Sequence, residues 1–421
     1  MDSLPNAMVE LILSYVTHAK DLVLCSSVSD RFKAAMRYNP RLYFPRGIFD
    51  HLSGRAEESD RIIEKMIASV DRLEELVVYC PFTVTGLAAW LSIAGWSIRH
   101  LDLRIDNLST GEVLHELSNQ KLECINSVID LESLKLWGVS MEQSLKWGVF
   151  QKLRSLQIVG LNAEDVALRD ALKACPNLIR LKLLNCLGVT AIRVELEHLE
   201  ELNLDFCGPA NCSVLIDCPK LITLALQGFG WIMVRETKLL KSIAIMHNFD
   251  KVHMIKFGKL GALQSLTLRG SQFQWDAISR LLQLATEVKH LFMKVEFTGD
   301  TEKLQPFPEV ELVDFFNRHP KLQKFDIHGA MFAALCHTNS LRNADSDFSI
   351  PCLEEVVITV RSPLNAEQKM ITIESLLKYS RNLKKMTIRM LQMRTSHSSA
   401  DDFYAELLAV ARMNPNIVRI E

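Results

Sequence analysis

The chain has 421 residues, 48% hydrophobic and 23% charged, with a formal net charge of −2. That balance provides no global basic field to draw nucleic acid, and no block of acids forms a tail. The length would ordinarily imply two or three domains, and the apolar content is ample for a long continuous core.

Residues 1–45 carry helical patterns. Leu4-Pro5 opens the first, with Met8, Val9, Ile12, Leu13 and Val16 spaced for one apolar face, and Pro5 suits a first helical turn. Thr17 to Lys20 reads as a connection. A second helix is expected from Asp21, and a third from about Ser29, carrying Phe32, Ala35 and Met36 and ending near Asn39-Pro40. Three helices this short bury little surface and are expected to lean on a neighbour or a partner. Residues 46–72 read as a linker, RGIFDHLSGRAEESD, followed by a cap helix, RIIEKMIASV.

From residue 73 to 421 one pattern returns about fourteen times: Leu, two variable residues, Leu, one variable residue, Leu. It is clearest as LESLKL at 131, LRSLQI at 153, LIRLKL at 178, LEELNL at 199, LITLAL at 221 and LQSLTL at 263. Looser copies begin at 73, 98, 240, 288, 322, 353 and 383, with a truncated one at 417. Such a repeat signals a leucine-rich-repeat solenoid: an α/β fold with a curved parallel sheet and helices on the convex side. Alternate strand residues face opposite ways, so Leu134 and Leu136 are predicted to point inward and Lys135 and Trp137 outward. The same phase places Tyr79, His100, Asp102, Arg104, Arg180, Lys182, Glu201, Asp205, Arg269, Phe292, Lys294, Asp326 and His328 on the outward, concave face. Tyr79, Arg104, Lys135, Trp137, Arg180, Lys182, Glu201, Asp205, Arg269 and Phe292 form the candidate substrate surface. Trp, Tyr and Arg are favoured in binding hot spots. Basic residues followed by acidic ones favour a charged peptide or protein segment as its ligand.

Residues 104–130 and 298–321 are expected to hold longer convex segments, with Pro320 stopping a helix in DFFNRHPKL. Residues 336–351 and 394–402 are polar and turn-forming, and read as surface loops. Leu76 to Ile98 carries no charge over 23 positions, enough to cross a bilayer. However, Pro81, Gly86 and Gly95 interrupt it, and it divides into a strand, a turn and a helix in repeat phase, so no membrane span is expected. MDSLPNAMVE lacks the charged-then-apolar pattern of a secretory signal.

No phosphate loop, dinucleotide fingerprint or H-E-x-x-H motif occurs, and no enzymatic activity or cofactor is expected. Cys207, Cys212 and Cys218 have a spacing loosely like a metal site, with His198 nearby. The repeat frame already accounts for Cys207 and Cys218, so no metal is predicted. The ten cysteines read as reduced, packed thiols of a cytosolic or nuclear protein.

The stretch LPNAMVELILSYVTHAKDLVLCSSVSDRF resembles an F-box. The matching elements are Leu4-Pro5, the run Ile12 to Val16, Asp21-Leu22, Val28 and the aromatic Phe32. The family usually has Glu where this chain has Ala7, Cys-Lys/Arg where it has Ser29-Asp30, and Trp in place of Phe32. An F-box followed at once by leucine-rich repeats resembles the F-box/LRR proteins, and its N-terminal position resembles the plant members. The resemblance implies a substrate receptor of an SCF-type cullin–RING ubiquitin ligase, docked on a Skp-type adaptor through Leu4, Pro5, Ile12, Leu13, Val16, Leu22 and Val28 as interface and its support. Two alternatives remain open from the sequence. One is a ligand-gated receptor of the plant-hormone kind. The other is an interaction scaffold whose front helices only cap the repeats.

Overall fold

In the computed structural model the inward leucines of successive repeats align in columns. The structure describes residues 4–49, 56–106, 114–207, 212–247, 252–297, 310–337, 341, 347–361, 365–390 and 398–421. The chain divides into two compact units, Met1–Gly208 and Pro209–Glu421.

The first unit opens with three helices, α1 (Asn6–Ser14), α2 (Ala19–Ser26) and α3 (Asp30–Met36). Pro5 sits just before α1 rather than in its first turn, and its carbonyl accepts from the Met8 and Val9 amides. The Ser29 side chain accepts from the Phe32 amide and so starts α3. Val9, Leu13 and Ala35 form the small core, with Leu4, Val16, Cys25 and Phe32 packed against it.

A parallel sheet follows: β1 (Arg41–Phe44), β2 (Glu75–Val78), β3 (His100–Arg104), β4 (Ser133–Met141), β5 (Ser155–Ala163) and β6 (Arg180–Cys186), with a separate strand β7 (Ala191–Glu195) and then β8 (Glu201–Phe206) beside β6. Leu76, Leu101, Leu134, Leu156, Leu181 and Leu202 make one laterally paired column, and Val78, Leu103, Leu136, Ile158, Leu183 and Leu204 the next. All twelve are buried, each contributing roughly 1.5–3 kcal/mol of transfer free energy. Helices α4 (Ala56–Ala68), α5 (Val84–Ala94), α6 (Leu114–Cys124) and α7 (Asp165–Lys173) complete the unit. The uncharged stretch from Leu76 to Ile98 is strand β2, a turn and helix α5, and no helix among the described residues is long and apolar enough to cross a membrane.

The second unit has its own parallel run: β10 (Thr223–Gln227), β12 (Ser242–His247), β14 (Ser265–Phe273), β15 (His290–Phe297), β16 (Lys324–His328), β17 (Glu355–Val360), β18 (Lys385–Met390) and β19 (Val418–Ile420). Its columns are mixed aliphatic and aromatic, as in Leu224, Ile243, Leu266, Leu291, Phe325, Val356, Met386 and Val418. A second small sheet pairs β9 (Ser213–Asp217), β11 (Trp231–Val234) and β13 (Met254–Phe257). Helices α8 (Trp275–Leu284), α9 (Leu312–Arg318), α10 (Gly329–His337), α11 (Ala366–Tyr379) and α12 (Ser398–Met413) complete it.

All fourteen predicted repeat copies are strands of these parallel runs. Helix α4 starts at Ala56, inside the expected linker, and α2 at Ala19, inside the expected connection, and three larger features depart from the expectation. The parallel pairing starts at β1, inside the segment assigned to the front helices. The segments between repeat strands are not helical throughout: where copies lie only 19–23 residues apart, from 178 to 263, they are the short strands β7, β9, β11 and β13. So few residues leave room for one extended segment between two turns, and AIRVE and SVLID alternate with period two. Where copies lie 25 apart there is room for a helix, as in α5, α7 and α8. Lastly, Ser398 to Asp402 begins helix α12, with Asp401 in its first turn, where a carboxylate is favoured by the helix dipole. α9 ends one residue before His319-Pro320, as predicted. Parts of the predicted linker, longer convex segments and surface loops (50–55, 107–113, 298–309, 338–340, 342–346 and 391–397) lie outside the described residues.

Candidate interaction surfaces

Helical spacing divides the front helices into two sets of apolar residues. On α1, Val9 and Leu13 stand one turn apart and close on the core, while Met8, Leu11, Ile12 and Tyr15 face solvent. Leu13 is 2% exposed and Leu22 0%, against 48% for Ile12 and 71% for Val28. Of the residues assigned to adaptor docking, Leu13 and Leu22 are therefore internal support. Leu4 and Val16 pack on the core, whereas Pro5, Ile12 and Val28 lie on the outside. Arg31 pins the start of the module, donating to the Leu4 carbonyl and, at 2.8 Å, to Asn6 Oδ1. Sequence reasoning did not assign Leu11, Tyr15, Val23 and Leu24 to the outside, although all four are exposed. For Leu11 and Tyr15 an i/i+4 count around Val9 and Leu13 is the signal that separates them.

The module is tied to the sheet by Asn39, which is 1% exposed. Its Nδ2 donates to the Leu13 and Val16 carbonyls at 3.0 and 2.9 Å, and its Oδ1 accepts from the Arg41 amide at 2.9 Å. These bonds satisfy open carbonyls at the end of α1 and set the start of β1. The Tyr43 amide adds a bond to the Thr17 carbonyl at 2.8 Å.

On the outward sheet face of the first unit, Asp102 is a hub. Tyr79 Oη donates to it at 2.7 Å and Trp137 Nε1 at 3.0 Å, and Lys135 Nζ lies 3.4 Å away. The Lys135 ammonium also sits over the Trp137 ring, 4.5 Å from its centroid. Tyr79 packs edge-on against Tyr43 at 5.7 Å and against Trp137 at 6.1 Å. Burial, then the hydrogen bond and charge of Asp102, push the Tyr79 phenol well above its usual range. Thr17, Arg41, Leu42, Tyr43, Glu75, Val77 and Tyr79 line a depression of about 310 Å³ beside this cluster. Tyr43 lies in β1, inside the segment expected to be helical, although RLYF alternates between half-buried and buried as a strand does.

The expected sequence of basic then acidic residues is locally neutralised. Arg104 makes two hydrogen bonds to Asp106 at 2.7 and 3.2 Å, and Lys182 meets Glu201 at 2.7 Å. Arg180 is exposed without an ion pair among the described residues. Burial raises the Asp205 carboxyl, and the Cys207 thiol lies 3.9 Å from it. In the second unit Arg269 is exposed, and Phe292 packs on His328 at 5.3 Å. The His328 ring is 3.0 Å from Asp326 Oδ1. Structure thus gathers Tyr79, Lys135 and Trp137 around Asp102, while Arg180 and Arg269 stand apart.

All ten cysteines are free. Burial pushes the Cys175 and Cys186 thiols up to about 12, which keeps them protonated and unreactive. No group of three or more His, Cys, Asp or Glu positioned for a metal occurs among the described residues.

Two comparisons bear on these surfaces. Residues 87–314 match the family model described as "FBD-associated F-box protein At5g56370, LRR repeats". The whole chain is 52% identical over 421 residues to the F-box protein At1g10780 of Arabidopsis thaliana, covering 100% of both.

Proposed function

Because this chain belongs to the F-box/LRR family of plant proteins, we propose that it is a substrate receptor of an SCF-type cullin–RING ubiquitin ligase. The front helices dock on a Skp-type adaptor, and the outward sheet face holds the protein to be ubiquitinated. The observation that carries this reading is the division within α1 and α2. Leu13 closes the small core and Leu22 is itself wholly buried, so Leu11, Ile12, Tyr15, Val23, Leu24 and Val28 are left on the surface without an internal role. Exposed apolar residues at this density call for a partner, and each aliphatic anchor fully covered contributes ~1.5–3 kcal/mol. The Asp102-centred cluster supplies a target site of the hot-spot type, with aromatic rings held rigid by hydrogen bonds. Its role is to raise the local concentration of the target near the ubiquitin-charged enzyme, with no covalent chemistry by this chain. The reading places the protein in the cytosol or nucleus, where such ligases act.

Co-purification with a plant Skp-type adaptor tests the docking. Wild type should bind, and the double variant Ile12→Asp/Val28→Asp should not, with its melting temperature unchanged. Absence of binding by the wild type would remove the ligase reading.

A further inference from the structure

The small sheet of the second unit has an outer face whose composition does not suit water. Its inner residues Val214, Ile216, Ile232, Val234, Ile255 and Phe257 are buried. By alternation the outer residues of a one-sided sheet should be polar. Here they are apolar through the middle. Trp231 pairs laterally with Met254 and with Ser213, and Met233 with Leu215 and Lys256. Trp231 is 42% exposed and stacks on the His253 ring at 5.2 Å with an interplanar angle of 18°. Leu215, Met233 and Met254 are half-buried beside it. Scattered exposed apolar side chains need no explanation, but four in register on three neighbouring strands form a patch.

The charges around the patch have one sign to spare. Asp217 is matched by Arg235 at 3.3 Å. Lys256 stands on the face itself, exposed and without an ion pair among the described residues. Lys238 and Lys259 are exposed in the turns that follow β11 and β13, with Glu236 opposing them. Three strands span about 10 Å in the pairing direction, close to the ~10 Å diameter of a helix with its side chains.

We infer that this outer face docks an acidic amphipathic helix of a partner protein, its apolar stripe on Trp231 and Met233 and its carboxylates toward Lys256. This surface belongs to the second unit, whereas the front helices and the Asp102 cluster belong to the first. Trp and Met make a flat, adaptable seat for leucine or phenylalanine anchors, and the lysines select against basic helices by repulsion.

The test uses the full-length chain and a phage-displayed random peptide library, selected on wild type alone. Enriched peptides should carry Leu or Phe at helical spacing with Asp and Glu between. A synthetic copy of the strongest should bind Trp231→Glu/Met233→Glu at least about tenfold more weakly than wild type. Lys256→Glu/Lys259→Glu, which changes exposed positions only, should shift selection toward basic peptides. This second variant keeps the test decisive if the first fails to fold. Enrichment that ignores Trp231, or peptides with no acidic bias, would overturn the proposal. So would self-association of the wild type in sedimentation that Trp231→Glu abolishes, since a second copy would then be the occupant.

Discussion

Ile12 and Leu13 are neighbours in the chain and face opposite ways on α1: one stands in solvent and the other is sealed against Val9 and Ala35. Their truncation should therefore separate stability from binding. Leu13→Ala should cost ~2–5 kcal/mol of the front module's stability by leaving a cavity. Ile12→Ala should stay within about 0.5 kcal/mol while weakening adaptor binding. Urea titration followed by circular dichroism, alongside adaptor titration, reads both.

Asp102 accepts from Tyr79 and Trp137 at once. Asp102→Ala should destabilise the first unit by roughly 1–3 kcal/mol, because the phenol and the indole lose their acceptor in a partly buried setting. Asp102→Asn keeps an acceptor but removes the charge. The Tyr79 phenol should then titrate at lower pH than in the wild type while staying above the ordinary value, since burial is the first cause of its shift. Ultraviolet absorbance of the phenolate follows this directly.

Gly138 follows Trp137 with φ +63°, and a Cβ there would fall 2.2 Å from the Asp106 carboxyl carbon. Gly138→Ala should cost at least ~1–2 kcal/mol from the left-handed backbone alone, with displacement of Asp106 from Arg104 added. A lowered melting temperature in the alanine variant, and none in Gly261→Ala where a Cβ meets open space, would establish the cause.

How much of this was legible beforehand depends on the range of the interaction. The fourteen repeat strands were readable because Leu134 and Leu136 define their own phase within six residues. The strands β7, β9, β11 and β13 are set by the spacing between repeats and not by the leucine pattern, which carries no information about the return segment. The Asp102 hub lies beyond local reading altogether: Tyr79, Asp102 and Trp137 come from three repeats, and only the lateral register brings them together. Ile12 and Leu13 are equally apolar, and which one turns inward is decided by α3.

Lys121 offers a check on the buried interior. Burial lowers its ammonium to about 8 from an ordinary 10.5, and its Nζ lies 3.0 Å from the Ile105 carbonyl. Between about pH 8 and 10.5 the unfolded chain holds a proton that the folded chain releases, so this residue makes stability rise with pH across that window. Lys121→Met should remove that upward contribution, seen as a difference between the two pH–stability profiles in chemical denaturation.

The Asn39 amide has a mechanical meaning as well. It clamps the end of α1 and the beginning of β1 with three hydrogen bonds, and the Thr17–Tyr43 bond lies beside them. A machine holding α1 therefore steers β1 and the strands zipped to it without an intervening swivel. If the proposed function holds, cargo resting on Tyr79 and Trp137 is presented at a fixed bearing, and its reach toward the ubiquitin donor is set by geometry and not by diffusion of a tether.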